Sequence, residues 1–185
     1  MNFDFKRDCK GVVSIIGGYE SDKDTLAKAE EIGRLLAENN YVISCGGLAG
    51  VMEAVCKGAK SANGLTIGII PYKEKSPANP YVDIVIPVPF SQARNIVVVL
   101  SGDVVVAIGG KAGTLSELCF SWIYGKPIIA LTGIDGWSDK LAGQKIDNRR
   151  PDFIIPAKSP LEVLDKVNEL FKSKKFRYRM NASEI

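Results

Sequence analysis

Residues 103–117 read DVVVAIGGKAGTLSE, and this stretch decides the fold. Asp103 to Ile108 form an unbroken, mainly apolar run, which is typical of a strand buried on both faces of a parallel sheet. Gly109 to Gly113 predict a tight loop, and a helix over 114–124 follows it. A strand, a glycine loop and a helix in this order predict one unit of an α/β fold.

The same succession recurs along the chain. Strands are predicted at 11–16, 41–45, 65–70, 82–86, 103–108, 128–131 and 153–155, and helices at 22–39, 50–62, 91–101, 114–124 and from 159. Ser21 and Asp24 offer caps for the first helix, and Ser159-Pro160-Leu161-Glu162 predicts a capped start for the last. A glycine-rich loop over 132–150 is expected to be mobile. We therefore predict a doubly wound, Rossmann-like α/β fold, with a parallel sheet of about seven strands and helices on both faces.

Length and composition predict a single domain over residues 1–185, with a core at about 11–171 and a basic tail at 172–185. The chain has 46% hydrophobic and 24% charged residues and a net charge of +3. It contains no histidine. This absence excludes Ser-His-Asp and Cys-His catalysis and His-ligated zinc sites, so any catalysis must use carboxylates, Lys, Arg, Tyr, Cys or a cofactor.

Cysteine usage and hydropathy favour a cytoplasmic protein that does not enter a membrane. Cys9, Cys45, Cys56 and Cys119 form no CxxC pair, which predicts free thiols and no metal site, and the last three lie in apolar runs typical of buried thiols. No apolar run approaches the ~18 residues of a membrane span, and MNFDFKRDCK lacks an apolar leader.

Three glycine pairs follow predicted strands: Gly17-Gly18, Gly46-Gly47 and Gly109-Gly110. Ligands of doubly wound sheets bind at the carboxyl ends of the strands, where backbone N–H groups of glycine loops can approach an anion closely. The three pairs therefore favour a nucleotide or sugar-phosphate site over simple turns. GGYESD does not match GxGxxG and GGKAGT does not match the P-loop, so neither a dinucleotide site nor a P-loop NTPase is expected.

Two charged side chains are candidates for chemistry, each with a plainer alternative. Thr114-x-x-Glu117 fits a helix capping box, and it also fits a carboxylate held at a cleft, ionised by the helix dipole. Arg94, in SQARN, fits a surface ion pair, and it also fits a cation converging on the same cleft as Glu117. The residues alone leave these alternatives open.

The motifs resemble those of the LOG (Lonely Guy) family, long mislabelled as lysine decarboxylases. GGKAGTLSE is similar to the family signature PGGxGTxxE, and CGGLAGVMEA, at 45–54, is similar to its second glycine motif. GGYE, GVMEA and SQARN look most like the branch that contains molybdenum-cofactor carrier proteins. The family's leading proline is Gly109 here, and its second glycine is Lys111.

The resemblance implies a nucleoside 5'-monophosphate phosphoribohydrolase, which cleaves the N-glycosidic bond to free base and ribose 5-phosphate. It places Arg94 and Glu117 as the catalytic pair and a phosphate on Gly113 and Thr114. Together with the glycine pairs, it predicts that the nucleotide or its phosphate contacts Gly17, Gly18, Gly46, Gly47, Gly50, Gly110, Lys111, Gly113 and Thr114.

Other functions remain open beside hydrolysis. The same cleft fits a non-catalytic carrier of a nucleotide or of molybdenum cofactor, which the altered 109–113 loop favours. A PLP-dependent decarboxylase would need Lys111 as Schiff base, but a solvated loop lysine is the simpler interpretation. We expect no required cofactor, although a nucleotide monophosphate or phosphate could be bound. The expected partner is a small-molecule nucleotide; nucleic acid is not expected, because KSKKFRYRM at 172–180 fits a solvated tail. The resemblance implies a homodimer or larger homo-oligomer.

Overall fold

The computed structural model describes residues 9–173. Its parallel sheet contains the strands β1 (Gly11–Gly17), β2 (Tyr41–Cys45), β3 (Thr66–Ile70), β4 (Ile84–Pro87), β5 (Val104–Ile108), β6 (Ile128–Leu131) and β7 (Ile155–Ala157). The helices are α1 (Lys23–Glu38), α2 (Val51–Ser61), α3 (Asn95–Ser101), α4 (Ala112–Ile123), α5 (Trp137–Leu141) and α6 (Pro160–Lys172), and a 3₁₀ helix (Ser91–Arg94) precedes α3. This is the predicted doubly wound α/β fold.

The order of the strands places the site. The sheet runs β4-β3-β2-β1-β5-β6-β7, with all neighbours parallel. The chain therefore winds outward from β1 to β4, returns to β5 beside β1, and winds outward in the other direction. The loops after β1 and β5 diverge at this switch in strand order, which is where open α/β sheets bind their ligands.

Two apolar cores cover the two faces of the sheet. Successive residues of β1 alternate between them, because side chains of a strand point to opposite faces. Ile15 packs in the core beneath α1, α2 and α6, whereas Ile16 packs in the core beneath α3 and α4. Burial on both faces explains why the strands read as continuous apolar runs.

The helix ends follow the sequence only in part. Ser159 caps α6 as predicted: its Oγ accepts from the N–H of Glu162 at 3.2 Å, and the Glu162 carboxylate accepts from the N–H of Lys158 at 2.8 Å. The predicted caps of α1, Ser21 and Asp24, are wrong. Asp22 is the cap, since its carboxylate accepts from the backbone N–H of Thr25 at 2.8 Å.

Several predicted boundaries shift. The helix predicted over 91–101 is divided into the 3₁₀ helix and α3. The strands predicted at 82–86 and 153–155 lie instead at Ile84–Pro87 and Ile155–Ala157. Both are short strands at the edges of the sheet, so their pairing with a single neighbouring strand decides their limits.

The segment 132–150, predicted as a glycine-rich loop, contains a short helix and is hydrogen-bonded to the end of the sheet. It contains α5, and the Oγ of Ser138 accepts from the N–H of Gly109 at 2.7 Å and donates to the carbonyl of Leu131 at 2.9 Å. Because Gly109 belongs to the loop after β5, these two bonds hold that loop in place.

Between residues 9 and 173, no helix is both long and apolar enough to cross a membrane. The predicted basic tail begins at the end of α6, and from residue 174 onward it lies outside the described residues.

Candidate functional site

A cavity of about 580 Å³ opens at the switch in strand order. Its volume falls in the range of small-molecule sites, roughly 300–1,000 Å³. The structure brings most of the predicted site residues together on its wall, from the ends of β1, β2 and β5 with the loops that follow them, from the 3₁₀ helix and from the first two turns of α4. They are Gly17, Gly18, Gly46, Arg94, Lys111, Gly113, Thr114 and Glu117.

Three predicted nucleotide-binding glycines, Gly47, Gly50 and Gly110, lie outside this wall. Gly50 has φ of +70°, and a Cβ there would lie 2.2 Å from the carbonyl oxygen of Tyr19. No side chain fits in that space, so Gly50 lets the loops after β1 and β2 touch.

Arg94 is buried at the edge of the cavity, with only 7% of its surface exposed. Among residues 9–173, no acceptor bonds its Nε or Nη1, and both atoms are sealed from solvent. A Cβ at Gly46 would lie 2.3 Å from Nη1, so the guanidinium rests directly on the Gly46 backbone. The prediction of a surface ion pair for Arg94 is therefore wrong. Arg94 is a desolvated cation, and no carboxylate among residues 9–173 pairs with it.

Glu117 lies in the second turn of α4 and is also 7% exposed. No nitrogen of Arg94 lies within 4.0 Å of a carboxylate oxygen of Glu117, so these two side chains form no ion pair. Burial raises the pKa of Glu117 to about 8, and the charge of Arg94 lowers it only in part. Burial therefore favours the neutral carboxyl, in contrast to the expectation that the helix dipole keeps Glu117 ionised, and the carboxyl lies beyond the first turn, where the dipole acts most strongly.

The capping box at Thr114 and Glu117 does not form. The cap of α4 is Lys111, which makes no side-chain capping bond, and the helix begins at Ala112 rather than at Thr114. The N–H of Leu115 donates to the carbonyl of Lys111 at 3.0 Å. The N–H groups of Ala112, Gly113 and Thr114 thus precede the first helical bond, and the positive end of the helix dipole faces this part of the cavity.

Lys111 and Glu20 face each other at the mouth of the cavity. Lys111 Nζ lies 3.4 Å from Glu20 Oε2, and the two side chains are 84% and 79% exposed. The pair connects the loop after β5 with the loop after β1. Exposed pairs of this kind contribute little free energy, so a ligand anion can replace Glu20 as the partner of Lys111.

The comparison with protein families identifies the chain. The sequence model of the SLOG cluster4 family matches residues 10–164. The chain belongs to the SLOG cluster4 family. This agrees with the resemblance to the LOG family and its molybdenum-cofactor-carrier-like branch.

Other proteins are similar over much of their length. An uncharacterised protein of Archaeoglobus fulgidus is 41% identical over 119 residues, which are 64% of this chain and 78% of that protein. The molybdenum cofactor binding protein of Rippkaea orientalis is 34% identical, with a TM-score of 0.78 over 87% of this chain and 97% of the other. The molybdenum cofactor carrier protein of Chlamydomonas reinhardtii is 27% identical, with a TM-score of 0.76 over 88% and 99%.

The cavity of this SLOG cluster4 protein contains residues that sequence reasoning missed. They are Tyr19, Glu20, Leu48, Met52, Pro71, Tyr72, Ser91, Gln92 and Asn95, together with Ile15 and Ile16. The SQARN motif signals three of them, because Ser91, Gln92 and Asn95 flank Arg94. Asn95 Nδ2 donates to Ser116 Oγ at 2.9 Å and so fixes this segment against the first turn of α4.

The site is electropositive and offers hydrogen-bond donors. Arg94 carries a charge and can only donate, whereas Glu117 is neutral below its raised pKa of about 8. In the described range, no cluster of three or more Cys, Asp or Glu side chains could hold a metal ion. The arrangement suits an anionic or electron-rich organic ligand.

Proposed function

We propose that this protein binds a phosphate ester of a planar heterocycle in the cavity. The class includes nucleoside monophosphates and the phosphorylated pterin of molybdenum cofactor. The observation that carries the proposal is the positive charge of Arg94 at the cavity wall, which no carboxylate among residues 9–173 pairs. A buried charge without a counter-ion costs free energy, and the negative charge of a ligand in the cavity recovers part of that cost.

The phosphate is assigned to the first turn of α4. The free N–H groups at Gly113 and Thr114, the helix dipole and the ammonium of Lys111 supply the donors and the positive charge that phosphate needs. Asn95 and Ser116 hold this turn in place, so the donors are arranged before the ligand arrives.

Of the two candidate functions, we favour a carrier that binds its ligand without converting it. Two of the solved relatives are a molybdenum cofactor binding protein and a molybdenum cofactor carrier protein, and both align with nearly their whole length. The state of Glu117 also favours binding. A neutral carboxyl leaves the positive charge of Arg94 uncompensated, whereas an ionised one would repel an anionic ligand.

Isothermal titration with AMP, GMP and ribose 5-phosphate tests the proposal. We expect each ligand to bind, and Lys111→Gln to weaken all of them. Lys166→Gln, which removes one positive charge from α6 away from the cavity, is the matched control and leaves affinity unchanged. Absence of binding by every phosphate ester would contradict the proposed function.

Hydrolysis of the N-glycosidic bond is the second candidate, and the burial of Glu117 beside the charge of Arg94 favours it. Water oxygen would bond to the anomeric carbon while the bond to the base nitrogen breaks, and the base would leave with a proton. A carboxylate stabilises the oxocarbenium-like state of such a reaction, and Arg94 would orient the leaving base.

The release of adenine from AMP tests this candidate. We expect the rate to rise with pH through about 8, as Glu117 ionises. Glu117→Gln abolishes release if the assignment is right, because such electrostatic groups typically contribute about 10²–10³-fold. Tight AMP binding with no adenine formed would exclude hydrolysis and leave carriage, and full activity of the variant would refute the role of Glu117.

A further inference from the structure

Two exposed tyrosines line the cavity. Tyr19 follows β1 and is 61% exposed, and Tyr72 follows β3 and is 45% exposed. Within residues 9–173, neither ring stacks on another aromatic ring. Exposed apolar groups that gather at a groove are typical of a ligand-binding surface. The faces of both rings are therefore available to a ligand.

The strand order places apolar side chains between the two tyrosines. In the sheet, β2 lies between β1 and β3. Leu48 and Met52 follow β2 and also line the cavity. We call Tyr19, Leu48, Met52 and Tyr72 together the tyrosine cleft. A flat ring fits such a surface, because aromatic faces and a thioether both make favourable contacts with rings.

The backbone that leads into each tyrosine is hydrogen-bonded. The carbonyl of Gly18 accepts from the N–H of Val51 at 3.0 Å, and the carbonyl of Ile70 accepts from the N–H of Val88 at 2.9 Å. Both tyrosines thus extend from backbone that is already held in place. A surface arranged before binding loses less conformational freedom when the ligand arrives.

The tyrosine cleft shares its cavity with the first turn of α4. Lys111, Gly113 and Thr114 line the same cavity. Glu20, the neighbour of Tyr19, lies 3.4 Å from Lys111 Nζ, so the loops after β1 and β5 meet. A ligand whose phosphate lies on the first turn of α4 can therefore extend its ring into the tyrosine cleft.

We propose that the planar ring of the bound phosphate ester stacks in the tyrosine cleft, between Tyr19 and Tyr72. The inference rests on the proposed binding function and adds how the ring is recognised. Stacking uses the face of a ring, which all bases share, rather than its hydrogen-bonding edge. The cleft therefore accepts adenine and guanine alike. It favours a bicyclic ring, of the purine or pterin type, over a pyrimidine, because the larger ring covers more apolar surface.

Isothermal titration with AMP, GMP, CMP and ribose 5-phosphate tests the inference, with free base measured in the same samples to detect hydrolysis. We expect AMP and GMP to bind with similar affinity, and about tenfold more tightly than ribose 5-phosphate, which lacks a ring. CMP should fall between them. Tyr19→Ala and Tyr72→Ala should each weaken AMP binding by about tenfold and leave the affinity for ribose 5-phosphate unchanged.

Matched variants separate stacking from other effects. Tyr19→Phe and Tyr72→Phe keep the rings and should keep the affinity for AMP, whereas a hydrogen bond of either hydroxyl would be lost. Phe153→Ala removes an aromatic side chain that is 56% exposed but does not line the cavity, and it should leave every affinity unchanged. An unchanged affinity for ribose 5-phosphate also shows that an alanine variant is folded.

The outcomes distinguish the inference from the proposed function. Wild-type affinity for AMP no tighter than for ribose 5-phosphate overturns the inference, as does full affinity for AMP in either alanine variant. Both results leave phosphate-ester binding standing, whereas failure of all four ligands to bind removes the proposed function itself. Should an alanine variant not fold, substitution of the same tyrosine by Leu, which keeps apolar bulk without the ring, replaces it in the comparison.

Discussion

Arg94 and Glu117 are taken out of water by folding without being paired to each other. Burial lowers the pKa of Arg94 and raises that of Glu117, so desolvation acts against the charged form of both. A chain selected for stability alone would place apolar residues here. The arrangement therefore costs stability that a ligand can recover, which is common at binding sites.

This cost predicts that Arg94→Met stabilises the protein. The substitution removes unbonded buried donors while a side chain of similar length fills the space. We expect the free energy of unfolding to rise by about 1–3 kcal/mol, the usual penalty for such groups. Urea denaturation measures the change.

Arg150→Met is the matched control. Arg150 is as buried as Arg94, but it bonds Asp152 and the carbonyl of Lys126 and stacks on Trp122. Its loss should destabilise the protein. A destabilised Arg94→Met protein would show that the guanidinium has a structural partner and would contradict our description of the site.

The raised pKa of Glu117 makes stability depend on pH. Between the ordinary pKa of 4.5 and the folded value of about 8, the folded chain holds a proton that the unfolded chain releases. Stability contributed by this group is therefore complete below pH 4.5 and is lost as pH rises through about 8. Replacing the Glu117 carboxyl should therefore abolish this decrease in stability with rising pH.

Thermal unfolding of wild type and Glu117→Gln from pH 5 to 9 measures the effect. We expect the Tm of the wild type to fall relative to that of the variant across this range. Glu169→Gln, on the surface of α6, is run in parallel to correct for loss of a carboxylate. A constant difference between wild type and Glu117→Gln would mean that the carboxyl is ionised throughout.

At the scale of helices and strands, local sequence predicts interiors better than ends. The apolar run 103–108 and its glycine loop became β5 and the turn into α4 as expected. The start of α4 did not follow its Thr-x-x-Glu motif, and the helix begins two residues earlier than that motif predicts. Ser138 holds the loop after β5 by accepting from the N–H of Gly109. A bond between residues 29 positions apart is invisible to a local motif.

The N-terminus of α1 provides a test at this scale. The carboxylate of Asp22 caps the helix, whereas Asp24 pairs with Lys28 on its surface. We expect Asp22→Ala to lower Tm by roughly 2–4 °C, as the loss of a cap does in a domain of this size. Asp24→Ala should lower it less, and the reverse order in differential scanning calorimetry would show that Asp24 is the cap.

At the scale of the whole molecule, exposed apolar side chains support the homo-oligomer that the resemblance implies. Leu100, Ile123 and Tyr124 are each close to half exposed, and Lys126 Nζ lies 3.5 Å from the carbonyl of Leu100, so the ends of α3 and α4 adjoin. We expect a second copy of the chain to cover this patch, because exposed apolar clusters of this kind mark contact surfaces.

Sedimentation equilibrium tests self-association. The wild type should sediment as a dimer or larger species, and Ile123→Glu should shift it toward monomer. Leu161→Glu is the control and should leave the assembly unchanged, because Leu161 is a similarly exposed apolar residue that lies on α6. A monomeric wild type contradicts the prediction.

Local pattern was sufficient for the alternation of strands and helices, the glycine loops at strand ends and the exclusion of histidine chemistry, because these depend on near neighbours or on composition. Packing decided the rest. The raised pKa of Glu117 and the lack of a partner for Arg94 among residues 9–173 arise where β1, β2 and β5 come together from distant parts of the chain. Hydration and electric field at a side chain depend on everything around it, and that environment exists only once the sheet has formed.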